Sequence, residues 1–290
     1  MVTHSFSSID WRWQRRRWTS KLMSVLFSIS IVVVLLPLVF IVGFLVIQGA
    51  SSLNWDFLTR RPAPVGEVGG GMGNAIVGSF LVILLAMIVG VPLGILGGIF
   101  LGEFPSSRLS QITRFAADVL NGTPSIVMGV FAYSVIVMPM HRFSALAGGF
   151  ALGIIMIPIM LRTTDEMLQL VPTAIREASL ALGVPYWKTV VKVVLSTAKS
   201  GLITGVLLAV ARISGETAPL LFTAFNNAFW TASLTQPIST LTVQIYTYAI
   251  SPYDDWHRQA WAGALLLLLL VFGINILVRA VTRGRHETNY

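Results

Sequence analysis

Residues 201–222 read GLITGVLLAVARISGETAPLLF. Leu202, Ile203, Val206, Leu207, Leu208 and Val210 suit a lipid-spanning helix, and Arg212 and Glu216 do not. On an insertion scale each strongly apolar residue contributes about −0.3 to −0.6 kcal/mol, and a central Arg costs about +2.5 to +3.5. The Leu, Ile and Val residues of the stretch therefore supply roughly −4 kcal/mol, against roughly +3 for Arg212 alone. A continuous helix across 201–222 would put Arg212 near mid-membrane and would need neighbours that keep both charges off lipid. Ionisable residues in such a span point by default to a pathway or binding site. The spacing has a plainer meaning too: i and i+4 lie on one helical face, where the two charges neutralise each other as scaffold.

Composition sets the class. The chain is 55% hydrophobic and 11% charged, where soluble domains are about a quarter charged. It is therefore expected to be an all-α, polytopic membrane protein. There is no Cys, so no disulfide framework and no Cys-based metal site. The net charge of +8 could suggest nucleic acid, but the basic residues flank apolar runs, which is a topology signal. The first apolar run follows Lys21 and continues to Ile47. It is too long for a signal-peptide core and lacks a small-residue cleavage site, so it reads as a retained first span.

Working outward, six spans are expected: 22–47, 75–101, 120–138, 145–161, 201–222 and 260–281. Residues 1–21 form a basic tail, with Trp11, Trp13 and Trp18 suited to a membrane interface. Residues 22–73 hold the first span and an outer loop. Its run Gly69-Gly70-Gly71 reads as a turn before a helix capped by Asn74, or more weakly as an anion cradle. Residues 74–282 form the core, with a cytoplasmic loop at 164–199, and 283–290 close the chain as a second tail. Glycines 90, 94, 97 and 98 invite close helix packing. An interfacial helix is expected around Arg108 and Arg114, and an irregularity at Pro124.

Six spans put both termini on one side. With that side in the cytoplasm, fourteen Lys and Arg residues lie inward and four outward (Arg60, Arg61, Arg142 and Arg258). Arg162 and Arg212 lie at or within spans. This asymmetry fits the positive-inside rule.

Between Val171 and Leu195 the sequence is VPTAIREASLALGVPYWKTVVKVVL. Pro172 suits a helix start and Gly183 the position just past its end. Ala174, Ile175, Ala178, Ala181 and Leu182 recur at helical spacing and give one apolar face. Pro185 opens a second helix. The short rod, about 16 Å long at about 1.5 Å per residue, can dock in a partner's groove or lie on the membrane.

Glu177-Ala178-Ser179, three residues and then Gly183 resemble the EAA motif of the permease subunits of ABC importers. Ser179 stands where the motif has a second Ala, and Ser196 where it has Pro. More narrowly, 162–172, 176–183 and 211–227, with 73–79 and 122–133, resemble the phosphate-specific permeases of that family. The resemblance covers nearly the whole chain after about residue 70. It implies a type I ABC importer permease fold, six transmembrane helices and a cytoplasmic coupling helix gripped through Glu177, Ala178, Ser179 and Gly183. It implies a phosphate path that involves Arg162, Arg212 and Glu216, and a multi-pass protein of the bacterial inner membrane. It implies as partners a homologous second permease subunit, a dimer of ATP-binding subunits and a phosphate-binding protein. ATP and Mg would sit in the ATP-binding partner, with no cofactor, metal or catalytic residue in this chain.

The residue chemistry agrees. Arg presents a planar fork that matches phosphate oxygens bidentately. Conduction also needs release, and Glu216 one turn away could weaken the grip of Arg212. No Gly precedes Lys21, Lys188, Lys192 or Lys199, so there is no G-K-[ST] phosphate loop. There is no G-x-S-x-G and no H-E-x-x-H. The alternatives are a permease for sulfate or molybdate, an ion-coupled secondary carrier, and a lipid-phosphate enzyme, which lacks a visible nucleophile.

Overall fold

The computed structural model describes the backbone of residues 7–231 and 233–283, and side chains over 11–231 and 233–277. The closing tail lies almost wholly outside the described residues. Among those residues the chain is helical, apart from loops and one isolated bridge between Pro62 and Gly70.

Helix α1 (Ser7–Gly49) merges the basic tail and first span into one rod, about 64 Å long at about 1.5 Å per residue. The helix therefore runs through residue 21 without a break. Residues 7–21 hold no Gly or Pro to stop a helix. Arg15 over Trp11 and Arg17 over Trp13 add cation–π pairs at helical spacing.

A short α2 (Trp55–Thr59) is capped by Asn54, which accepts from the Phe57 amide at 2.8 Å. Helix α3 (Gly73–Glu103) follows. Asn74 is not its cap, as had been expected: it lies inside the first turn and donates to the Asn227 carbonyl at 2.7 Å. The cap position falls to Met72, which is buried in the core. Amphipathic α4 (Arg108–Gly122) meets α5 (Ser125–Met140) at a bend of 101°. Pro124 causes the break: the residue before a proline is pushed out of the helical region, and Thr123 is extended.

Helix α6 (Ala145–Gln169) starts at the Ser144 cap. Short α7 (Thr173–Ala181) is followed by α8 (Tyr186–Ser214), α9 (Ala218–Leu221), α10 (Leu241–Ala249) and α11 (Asp254–Arg283). Five helices are long and apolar enough to cross a membrane, or six if the bent α4–α5 pair is one span. That agrees with six spans and an all-α fold.

The expected fifth span needs correction. The helix that Pro185 opens does not stop before residue 201; it runs through to Ser214. It then ends, short of the expected residue 222, because Gly215 and Glu216 turn the chain. Residues 215–249 form a re-entrant stretch. Ser239 packs on Gly78 and the Leu241 amide donates to Ser79. Ser79 lies about 9 Å along α3 from Gly73, at about 1.5 Å per residue, so the chain turns within the bundle.

The core centres on α3 and α6, which run parallel and tightly packed. Gly90, Gly94 and Gly98 face Met156, Met160 and Thr164, and Gly149 faces Leu85. A Cβ on Gly90 would come within 2.8 Å of Met156 Cβ, and at the other three the overlap would be worse. Small residues every fourth position let membrane helices approach closely, and here both helices supply them. Helix α8 packs antiparallel on α6 through Gly201 and Gly205. The last turns of α1 lean on α11, with Phe44 edge-on to Trp261 at 5.1 Å. Followed through the bundle, the start of α1 and the end of α11 lie at the end that carries α7.

Candidate functional site

Two charged groups define the places where chemistry concentrates. The first is the break after α8. Arg212 sits in the last turn and Glu216 just past it, and they form an ion pair. The expected mid-helix pair on one continuous face is thus a pair that spans a helix end. Its burial is unequal: the Glu216 side chain is 9% exposed and that of Arg212 60%. The carboxylate is the group taken out of solvent, and the guanidinium reaches from it to an open face.

The surroundings hold Glu216 in place. Thr242 donates to its main-chain carbonyl at 3.0 Å, and its amide donates to Ile213 at 3.1 Å. Arg212 also lies at the helix C-terminus, where a cation is favoured by the dipole. Beside the break is a void of about 10 Å³ lined by Ser79, Ser214, Thr240 and Thr242 among others. That is close to the size of one water. Thr240 Oγ1 is buried without a partner among the described residues, so a water there would have hydroxyls to meet.

Arg162 does not join this pair. It lies on α6 and pairs with Asp118 of α4 at 3.0 Å, both side chains part-exposed. Its neighbour Thr163 packs on Gly205, and Arg212 is about 10 Å further along α8 at about 1.5 Å per residue. The three expected path residues thus form two stations at different depths, each arginine held by a carboxylate. A cavity of about 540 Å³ between α3, α8 and α11 is unsuited to an anion. It is lined by Phe80, Leu84, Met87 and Ile274 among others, and its polar side chains among the described residues are Ser79 and Ser214.

The second place is the end of the bundle with α7. Gly183 has φ +77°, as expected for the residue that ends this helix, with open space where a Cβ would be. Ala174, Ile175, Ala178, Ala181 and Leu182 are all exposed, so the apolar face of α7 has no partner among the described residues. Glu177 is exposed beside it, whereas Ser179 is buried and shares a 2.9 Å hydrogen bond with Thr189. Ser179 thus ties α7 to the start of α8, while Glu177 and Ala178 look outward. With φ positive, Gly183→Val strains the backbone without a clash. We expect the variant to insert normally but to lose the stimulation of a partner ATPase that the EAA resemblance assigns to this loop. Full stimulation would remove this loop as the docking element.

Sequence reasoning missed the ion pairs that support this end. Asp165, 2% exposed, receives Arg114 through Nε at 2.9 Å and Nη2 at 3.1 Å, and Gln169 at 2.8 Å. Glu103 receives Arg176 and the Tyr186 hydroxyl. Both acids fell outside the expected spans. The available signal was helical spacing: Leu161, Asp165 and Leu168 share one face.

Comparison with known proteins places the fold in context. Residues 94–286 match the family described as "Binding-protein-dependent transport system inner membrane component". The chain is 44% identical to the phosphate transport system permease protein PstA of Yersinia pestis, over 93% of this chain and 91% of that protein. It is 47% identical to PstA of Haemophilus influenzae, over 92% and 95%. Among solved structures, the inward-facing MetNI methionine ABC transporter superposes with a TM-score of 0.58. That match is at 19% identity and covers 74% of this chain and 94% of the other. This last likeness shows the type I importer permease fold alone. With most of its length matched by both comparisons, the chain belongs to the binding-protein-dependent inner membrane transport components and, within them, to the PstA family of phosphate transport system permeases.

Proposed function

We propose that this protein is the channel-forming permease subunit of an ATP-driven importer of inorganic phosphate in a bacterial inner membrane. The observation that carries the reading is the Arg212–Glu216 pair at the α8 break: an exposed guanidinium anchored by a buried carboxylate, in a chain of the phosphate permease family. Arg212 offers the bidentate fork to phosphate, and Glu216 competes for the same donors and promotes release. Arg162, held by Asp118, is a second station nearer the α7 end. The α7 helix, with Glu177 and Ala178 outward and Gly183 at its end, is the contact for the ATP-binding subunits. Those subunits hold ATP and Mg, a second permease completes the path, and a phosphate-binding protein delivers the ion. Both termini and α7 face the cytoplasm, in line with the basic asymmetry.

Reconstituted vesicles test this reading. Phosphate uptake is expected to require ATP, the ATP-binding subunit and the binding protein, with no competition from excess sulfate. Uptake that persists without the ATP-binding subunit would favour an ion-coupled carrier and overturn the assignment. Reporter fusions after Tyr290 and within residues 50–70 should report opposite sides of the membrane. The same side for both would remove the topology.

A further inference from the structure

We infer that Arg176, through Glu103, latches the coupling helix α7 to the ends of α3 and α6, and so makes α7 move as one body with that pair. The inference rests on the transport reading above for its coupling readout, and on geometry for the latch. Arg176 lies on α7, directly before the outward Glu177. Its side chain turns inward: Nη1 donates to the Glu103 carboxylate at the end of α3, and Nη2 donates to the Leu168 carbonyl in the last turn of α6 at 2.9 Å. Glu103 is 3% exposed and Arg176 20%. Tyr186, in the first turn of α8, donates to the other oxygen of Glu103.

A single arginine therefore spans two helix ends, satisfying a carboxylate on one and a late carbonyl on the other. The Leu168 carbonyl also accepts the Val171 amide at 3.2 Å, so Arg176 fills the second acceptor site of a carbonyl at the very end of α6. Arg114 of α4 makes the reciprocal contact, donating to the Leu101 carbonyl of α3 and to Asp165 of α6. The two helices so joined are those packed face to face through glycines, which leaves little freedom to slide. Force applied to the outer face of α7 thus passes through Arg176 into a stiff α3–α6 pair. Toward α8, α7 is followed by Gly183, the positive-φ position where the chain turns. Arg176 is a positioning residue: it acts through α7 and touches no transported ion.

The test uses the full complex with its ATP-binding subunits. Two quantities are read: hydrogen exchange of amides 173–182, and phosphate moved per ATP hydrolysed. Arg176→Gln and Glu103→Gln are each expected to speed exchange of this segment tenfold or more and to lower the coupling ratio tenfold or more. Arg176→Lys should recover part of both, because a point charge reaches the carboxylate without the second arm. The exchanged pair, Glu103→Arg with Arg176→Glu, should also recover only part of both, since the charges pair again but a carboxylate at 176 cannot donate to the Leu168 carbonyl. If Arg176→Gln does not assemble, Glu103→Gln carries the test, since the amide oxygen can still accept from Arg176 while its nitrogen donates to the Tyr186 hydroxyl, and the charge is lost. Unchanged exchange in both single variants would overturn the latch. So would loss of assembly in every variant, which would make the pair a folding requirement. An unaltered complex that moves no phosphate would sink the transport reading and leave the exchange result to judge the latch.

Discussion

Arg212→Gln is expected to lower phosphate uptake per assembled complex by about tenfold to a hundredfold, while the complex still forms, binds the ATPase of the proposed assembly and hydrolyses ATP. The magnitude follows from losing a charge-assisted hydrogen bond of about 1.5–3 kcal/mol to the anion, at about 1.4 kcal/mol per tenfold. The unequal burial of the pair sharpens the comparison with a purely structural role. Glu216 is the buried member, so a scaffold pair would be sensitive to loss of Arg212, which strands a buried carboxylate. It would tolerate loss of both charges. On that account Arg212→Gln lowers the amount of folded complex, and Arg212→Gln with Glu216→Gln restores both complex and uptake. On the phosphate account the double variant assembles and stays inactive. Arg212→Lys recovers part of the rate, because an ammonium lacks the planar fork. The measurement is uptake divided by complex recovered, across wild type and the three variants. Wild-type uptake in the double variant would sink the path assignment.

Asp165→Ala is expected to have the largest effect on stability. The carboxylate is 2% exposed and receives both arms of Arg114, so its removal strands a part-buried guanidinium between α3, α4 and α6. Truncating one member of a buried pair costs about 3–5 kcal/mol, whereas replacing both by apolar groups of similar volume is close to neutral. Asp165→Ala should therefore sharply reduce recovery of folded protein in mild detergent. Asp165→Leu with Arg114→Met should return it to near the wild-type amount, with unchanged elution as a complex. Poor recovery of the double variant would show that the charges themselves, and not only their balance, are needed to join α4 to α6.

Much of this protein is legible in its residue order. Apolar runs of about 20 residues can only be spans, so the class, span count and basic asymmetry follow from composition and pattern. Gly183 and the flanking prolines mark the limits of α7 because their backbone demands are local. The break at Pro124 follows for the same reason. The end of α8 is marked locally as well, by Gly215 and Pro219, which the apolar reading of 201–222 overrides. The path of residues 215–249 is not legible, because distant segments hold it: Thr242 donates to the Glu216 carbonyl, Ser79 accepts the Leu241 amide and Gly78 admits Ser239. The extension of α1 back to Ser7 was missed because charge was read as a boundary, although charged residues are good helix formers.

The same division holds for the charged residues. Sequence spacing is enough to pair Arg212 with Glu216, since they are four residues apart. It does not say which of the two is buried, and that difference makes one an anchor and the other a contact. Arg162 with Asp118, Arg114 with Asp165 and Arg176 with Glu103 join residues 44, 51 and 73 positions apart. Buried charge demands a partner, but the demand carries no address. Helix packing supplied it: the glycine-lined approach of α3 and α6 brought Glu103 and Leu168 to the same end of the bundle, where one arginine from α7 could reach both.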